Sequence, residues 1–169
     1  MALTADVKTF RFGAPGNSTQ PVNFPLTASA TVYRGSIATL RSGYLVAASS
    51  PQSTDVVFGI IDKAGPGYAD TGPGIVGGTT NGAVTVEVAT GSFFLQAGSG
   101  SDALTAANGG APVYVINETT VGFTSAGNTR PVGGQLLGLA SQFAPNRPDL
   151  AGMVVVKVGS SAGNTGGPS

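Results

Sequence analysis

The sequence predicts an all-β fold, a β-sandwich or jelly-roll-like β-barrel of short strands, and three observations lead to it. Glycine and proline, 27 and 11 of 169 residues, punctuate the chain at short intervals. Helices tolerate both badly, whereas turns between short strands use them freely. Apolar residues gather in short runs rich in Val, Ile, Phe and Tyr, and several runs alternate with polar residues in the period-two pattern of a half-buried strand.

In chain order the strands are expected at 31–33, 44–46, 56–61, 84–88, 93–95, 113–116, 136–140 and 153–158. Val84, Val86 and Val88 point one way while Thr85 and Glu87 point the other. Val154, Val156 and Val158 repeat the pattern around Lys157. Short strands at regular spacing, joined by turn signals, are the mark of a sandwich or barrel. One stretch, 101–109, invites a helical turn or two, with Ser101 as N-cap, Asp102 in the first turn and Asn108-Gly109 as the stop. The same residues also suit a loop leading into the strand at Val113.

Two segments flank this β domain of residues 31–158. Residues 1–30 carry Pro15, Pro21 and Pro25 among Gly, Asn, Ser, Thr and Gln. Such a segment buries little area alone and is expected to form an extended N-terminal arm. Residues 159–169 consist only of Gly, Ser, Ala, Asn, Thr and Pro, a C-terminal tail.

Charge is scarce: 9% of residues, eight basic and eight acidic, against about 25% in an ordinary globular domain. Binding to phosphates needs a basic stripe, and no block of like charge exists, so a nucleic-acid partner is not expected. The same absence, with no amphipathic helix, argues against a membrane surface, and no run approaches the roughly 20 apolar residues of a membrane span. A free monomer relies on interspersed charges to stay soluble. A surface of Ser, Thr, Asn, Gln and Gly instead suits faces buried against neighbours.

Cysteine is absent, so the fold cannot depend on disulfides or thiolate metal sites. That suits a protein made in cytoplasm that works outside a cell. The opening residues Met-Ala-Leu-Thr-Ala-Asp-Val-Lys lack the basic and apolar regions of a signal peptide.

Histidine is absent as well, which removes the commonest general base, imidazole metal ligands and every histidine-dependent triad. The acids Asp6, Asp55, Asp62, Asp70, Glu87, Asp102, Glu118 and Asp149 show no spacing that suggests a glycosidase pair or a calcium loop. Gly72-Pro73-Gly74-Ile75-Val76-Gly77 formally matches G-x-G-x-x-G, but Pro73 sits inside it and no helix follows. It belongs to a long Gly-rich loop, 65–82. Asn17-Ser18-Thr19 and Asn117-Glu118-Thr119 match the glycosylation sequon, without an export signal to give it meaning. The expectation is therefore a non-enzymatic protein with no catalytic residue, metal or cofactor.

The candidate site is a contact surface. Phe10 and Phe12 flank Arg11, and either anchor the arm on a partner's groove or pack on the chain's own domain. Phe24 in the arm and Tyr68 in the Gly-rich loop are the remaining candidate contacts with a neighbour.

The order of features from 31 to 158 resembles the capsid decoration, or cement, proteins of tailed bacteriophages. Arg41-Ser42-Gly43-Tyr44-Leu45-Val46 begins it, followed by Val57-Phe58-Gly59-Ile60-Ile61 and Gly82-Ala83-Val84-Thr85-Val86-Glu87-Val88. Gly91-Ser92-Phe93-Phe94-Leu95, Gly110-Ala111-Pro112-Val113-Tyr114-Val115 and Arg130-Pro131-Val132-Gly133 continue it, and Leu137-Gly138 and the strand at 154–158 close it. The resemblance implies a β-sandwich or β-barrel on the outer face of a major capsid protein lattice, clamping neighbouring subunits against genome pressure. It implies self-association too, in trimers at local threefold positions in preference to dimers at twofolds. It carries over no catalytic residue. The arm, 1–30, is expected to add a strand to a neighbour's open edge, which needs only main-chain hydrogen bonds. The alternative is a head-fibre or adhesin-like module recognising host glycan or receptor, which requires exposed aromatic rings gathered in one patch.

Overall fold

In the computed structural model, described for residues 2–12, 22–61 and 72–159, the chain is all-β with one short α-helix. The strands are β1 (Arg11–Phe12), β2 (Val22–Pro25), β3 (Thr31–Val32), β4 (Ile37–Arg41), β5 (Tyr44–Val46), β6 (Val56–Ile61) and β7 (Ile75–Val76). They continue as β8 (Thr85–Ala89), β9 (Gly91–Ala97), β10 (Pro112–Val115), β11 (Thr120–Gly122), β12 (Val132–Leu139) and β13 (Met153–Val158). The helix α1 spans Ala140–Phe143.

Strands β9, β11, β10, β12 and β13 form a closed barrel, because β13 pairs with β12 on one side and with β9 on the other. Closure pairs these strands around the ring, leaving open the stretch of β9 at Ser92 and Phe93 that β1 covers, and so blunts the edges that invite aggregation. Its interior follows from the alternation: Phe93 and Leu95, Val113 and Val115, and Val154, Val156 and Val158 all point inward with Val121 and Leu136. Glycine makes this possible on β12. A Cβ on Gly134, whose φ is +149°, would overlap the carbonyl oxygen of Lys157 on β13. The register also slips on both sides of β12, between Val113 and Tyr114 and between Leu136 and Gly138. Such bulges bend a strand around a tight barrel.

The second sheet, β2-β8-β6-β4-β5, curls until its outer strands nearly meet. Leu26 forms a parallel bridge with Leu45, and the Thr27 amide donates to the Leu45 carbonyl at 3.0 Å. Inside lie Leu26, Val32, Ala38, Leu45, Ile61, Val86 and Val88, sealed by the edge-on pair Phe24–Phe58 with centroids 4.5 Å apart. A register shift between Ala38 and Thr39 leaves Phe58 without an opposite residue, so β6 feeds two cores: Val57 and Ile60 face the barrel, Phe58 and Ile61 this sheet. Strands β4 and β5 join through Ser42-Gly43, both at positive φ (+52° and +85°), the pattern of a type I′ hairpin turn. Strands β3 and β7 make a separate two-stranded ribbon.

The division expected at residue 30 is corrected. Strand β2 lies inside the second sheet, in register with β8 from Val22–Val88 to Pro25–Thr85. Residues 2–12 are tied to their own chain: Asp6 is buried, its amide donates to Gly72 and its carboxylate accepts from the Arg34 amide and guanidinium. The Val7 amide donates to Arg34, and β1 pairs with β9 at Arg11–Phe93 and Phe12–Ser92. Strand β1 adds to β9 of its own chain, where Ser92 and Phe93 offer a free edge and the phenylalanines of this segment have an apolar face to cover. Residues 13–21 and the tail beyond 159 lie outside the described residues.

The helical turn or two expected at 101–109 forms as two 3-10 turns, Gly100–Asp102 and Ala106–Asn108, the second capped at Gly109, while the N-cap of the first is Ser99 and not Ser101. Asp102 is drawn into a bond network with Thr124 and Arg130, and Gly98 needs close approach to the Asp102 side chain. The α-helix forms at 140–143, where the sequence predicts the end of a strand.

Candidate interaction surface

Residues directly opposite one another in paired strands share a face, so the register lays out the barrel's outer wall in rows. Phe12, Ser92, Lys157 and Gln135 form one row across β1, β9, β13 and β12. Phe94 and Val155 form the next, with the Phe94 amide donating to the Phe10 carbonyl at 2.9 Å. Gln96 and Met153 form a third.

The middle row is sealed. Phe94 and Val155 are buried with Ala140 and Leu150 beneath Phe10, Phe12, Ala144 and Met153. Phe12 meets Phe94 edge-on at 5.9 Å and Phe143 at 4.9 Å. Edge-to-face pairs of this kind each add about 0.5–1.5 kcal/mol beyond the area they bury. Over Phe10 stand Lys8 Nζ at 5.1 Å and the Arg147 guanidinium at 4.9 Å, in cation–π geometry. Phe143 remains 41% exposed.

Of the contact residues expected from sequence, Phe10 and Phe12 therefore pack on the chain's own barrel, the second of the two readings open for them. Phe24 is committed to Phe58 within the second sheet. Arg11 is exposed at the rim of the wall, above the Phe93 ring at 5.4 Å and donating to the Thr90 carbonyl. Tyr68 lies outside the described residues. Lys8, Phe143, Arg147 and Lys157, which complete the wall, escape the sequence reading. Lys157 alone is visible there, as the outward residue of an alternating strand; the others depend on the segment before β1 and on the turns between β12 and β13.

Carboxylates across the described residues are mostly held by arginines: Asp6 by Arg34 at 3.2 Å, Asp55 by Arg41 at 2.8 Å, Asp102 by Arg130 at 2.7 Å and Asp149 by Arg147 at 2.6 Å. Burial pushes the Asp102 carboxyl up, but hydrogen bonds from Thr124 and Arg130 outweigh it and hold it below the usual range. Glu118 is buried with the Leu3 amide donating to it at 2.8 Å. Burial dominates there and raises its pKa. No group of three acidic side chains is placed to hold a metal among the described residues. A cleft of about 170 Å³ lies where the chain at Leu3 and 7–9 passes Phe94, Gln96, Thr119 and Met153, well below the 300–1,000 Å³ typical of small-molecule sites. Residues 72–77, which match the dinucleotide fingerprint formally, open no helix; Ile75 and Val76 form β7. No helix among the described residues is long and apolar enough to cross a membrane.

No protein-family model matches the chain, and neither a curated protein nor a solved structure does.

Proposed function

We propose that the chain is a structural virion protein that binds the outer surface of a tailed-phage capsid and clamps neighbouring major capsid protein subunits. The observation that carries this reading is how charge is spent. Among the described residues, eight of the thirteen charged ones form four ion pairs, three of which have a largely buried carboxylate. What faces outward is mostly Ser, Thr, Asn, Gln, Ala and Gly. Copies with such surfaces can crowd on a lattice without mutual repulsion, and many weak contacts become strong when repeated at high effective concentration. A closed barrel supplies a rigid body for that task. The protein acts without a cofactor and self-associates, as a trimer in preference to a dimer, after synthesis in the host cytoplasm.

A glycan-binding head fibre would need open aromatic faces. Phe10, Phe12, Phe24 and Phe94 are each engaged by another ring or a cation, which favours the shell reading.

Co-sedimentation with expanded capsids assembled from the companion major capsid protein tests the proposal. Saturable binding at a fixed stoichiometry is the expected result. A protein that stays a soluble monomer and ignores expanded shells would overturn it and direct attention to glycan arrays.

A further inference from the structure

Exposed charge is not scattered over the described residues. Among the described residues the exposed charged side chains are Lys8, Arg11, Arg147, Asp149 and Lys157; all but Arg11, which lies opposite Phe93 and turns to the other face of β1, belong to the β1–β9–β13 wall. Lys8 and Arg147 stand over Phe10, Arg11 rides the edge at β1, and Lys157 shares the outer row with Phe12 and Ser92. Asp149 is the one carboxylate, bound by Arg147 and further held low by nearby Lys8. Three cations against one carboxylate leave two net positive charges on this wall among the described residues. Phe143 adds the exposed apolar component at the same place.

We propose that this wall is the docking face, and that its occupant is an acidic, partly apolar segment of another protein. The cations are complementary to carboxylates, and the exposed Phe143 ring beside them calls for an apolar side chain between acids. A nucleic acid fits less well. Duplex DNA presents a charge about every 1.7 Å, which three cations interrupted by Asp149 cannot match, and the Phe10 ring that would stack a base is already covered by Lys8 and Arg147. The identity of the partner as a shell subunit rests on the function proposed above; the chemistry of the face does not.

Two arms separate the two ideas. In the first, the isotopically labelled protein is titrated with a synthetic Glu-Leu-alternating peptide and, in parallel, with a single-stranded DNA oligonucleotide. Shifts confined to 8–12, 92–96, 140–149 and 153–158 are expected with the peptide. The double variant K8E/K157E should lose at least tenfold in affinity at unchanged melting temperature, whereas T80E, on an exposed loop elsewhere, should lose none. Absent peptide binding, shifts mapping elsewhere, indifference to K8E/K157E, or tighter binding of the oligonucleotide would each overturn the face. In the second arm the same variants are sedimented with expanded capsids. Wild-type binding that survives K8E/K157E overturns the face on the shell; no wild-type binding, with the peptide result intact, overturns the shell reading and leaves the face standing.

Discussion

Arg41 grips Asp55 with a two-pronged pair of hydrogen bonds, Nε to Oδ1 and Nη2 to Oδ2, both 2.8 Å long, and so ties the end of β4 to the turn that enters β6. The Asp55 side chain is fully shielded from water while that of Arg41 is 35% exposed. The Gln52 amide donates to the same carboxylate, and Arg41 also reaches the Ser50 carbonyl. Replacing Arg41 by Met strands a buried carboxylate, and a hydrogen bond to a charged group is worth about 1.5–3 kcal/mol. R41M should therefore be less stable by that amount in urea denaturation, and D55N/R41M should recover part of it because no ion is left unpaired. Equal midpoints for the single and double variants would rule out this account.

Asp102 and Glu118 should bend the stability curve in opposite directions. Asp102 has a folded-state pKa below its unfolded value of about 3.9, so its contribution is present above that pH and disappears as pH falls through the folded value. Glu118 has a folded-state pKa above its unfolded value of about 4.3. Its contribution is complete below that pH and is lost as pH rises through the folded value. D102N should flatten the acid limb of stability against pH and cost about 1.5 kcal/mol at pH 7. E118Q, which keeps an acceptor for the Leu3 amide, should gain stability at pH 7 and none at pH 3. Denaturant melts across pH 3–8 read both.

Glycines at positive φ should differ sharply in what an alanine costs. At Gly43, in the β4–β5 turn, an added methyl group would have no neighbour within 4 Å, so G43A should cost about 1 kcal/mol, the left-handed backbone alone. G134A adds collision with the Lys157 carbonyl and should cost on the order of 3 kcal/mol. Beside Gly43, Ser42 adopts φ +52°, where Asn is at ease; S42N should stabilise by about 0.5 kcal/mol. Urea midpoints of the three variants check the ranking.

Thr39 is wholly buried on β4 and its hydroxyl finds no partner among the described residues. An unsatisfied buried polar group costs about 1–3 kcal/mol. T39V keeps the shape and removes the hydroxyl, so its urea midpoint should rise. A fall would mean that the hydroxyl is bonded.

How far the sequence reveals this fold depends on how local the cause is. Alternation assigns Val154, Val156 and Val158 to one face and Lys157 to the other, and the barrel obeys. By the same rule Val155 should be exposed, yet it is fully buried. Its cover comes from Phe10 and Phe12, residues distant in sequence, and from Leu150 in the turn before β13, packing that has no periodic signature. Strand β2 escapes notice because Pro25 ends it and Val22-Asn23-Phe24 is too short to show a period. Strand β4 is hidden because the shift at Ala38 and Thr39 breaks its alternation. The candidate face is the least legible: its cations are spaced from residue 8 to residue 157, and only closure of the barrel brings them together.

That closure also sets the order in which the molecule can be built. Strand β9 finds one partner near the start of the chain, in β1, and another near its end, in β13. Until β13 is synthesised, β9 and β12 stand apart with naked edges, and the valines, leucines and phenylalanines of the interior face water. Pairings this distant in sequence carry a large loop-closure cost before any contact rewards it. Strand β13 thus latches the barrel, joining β12 to β9.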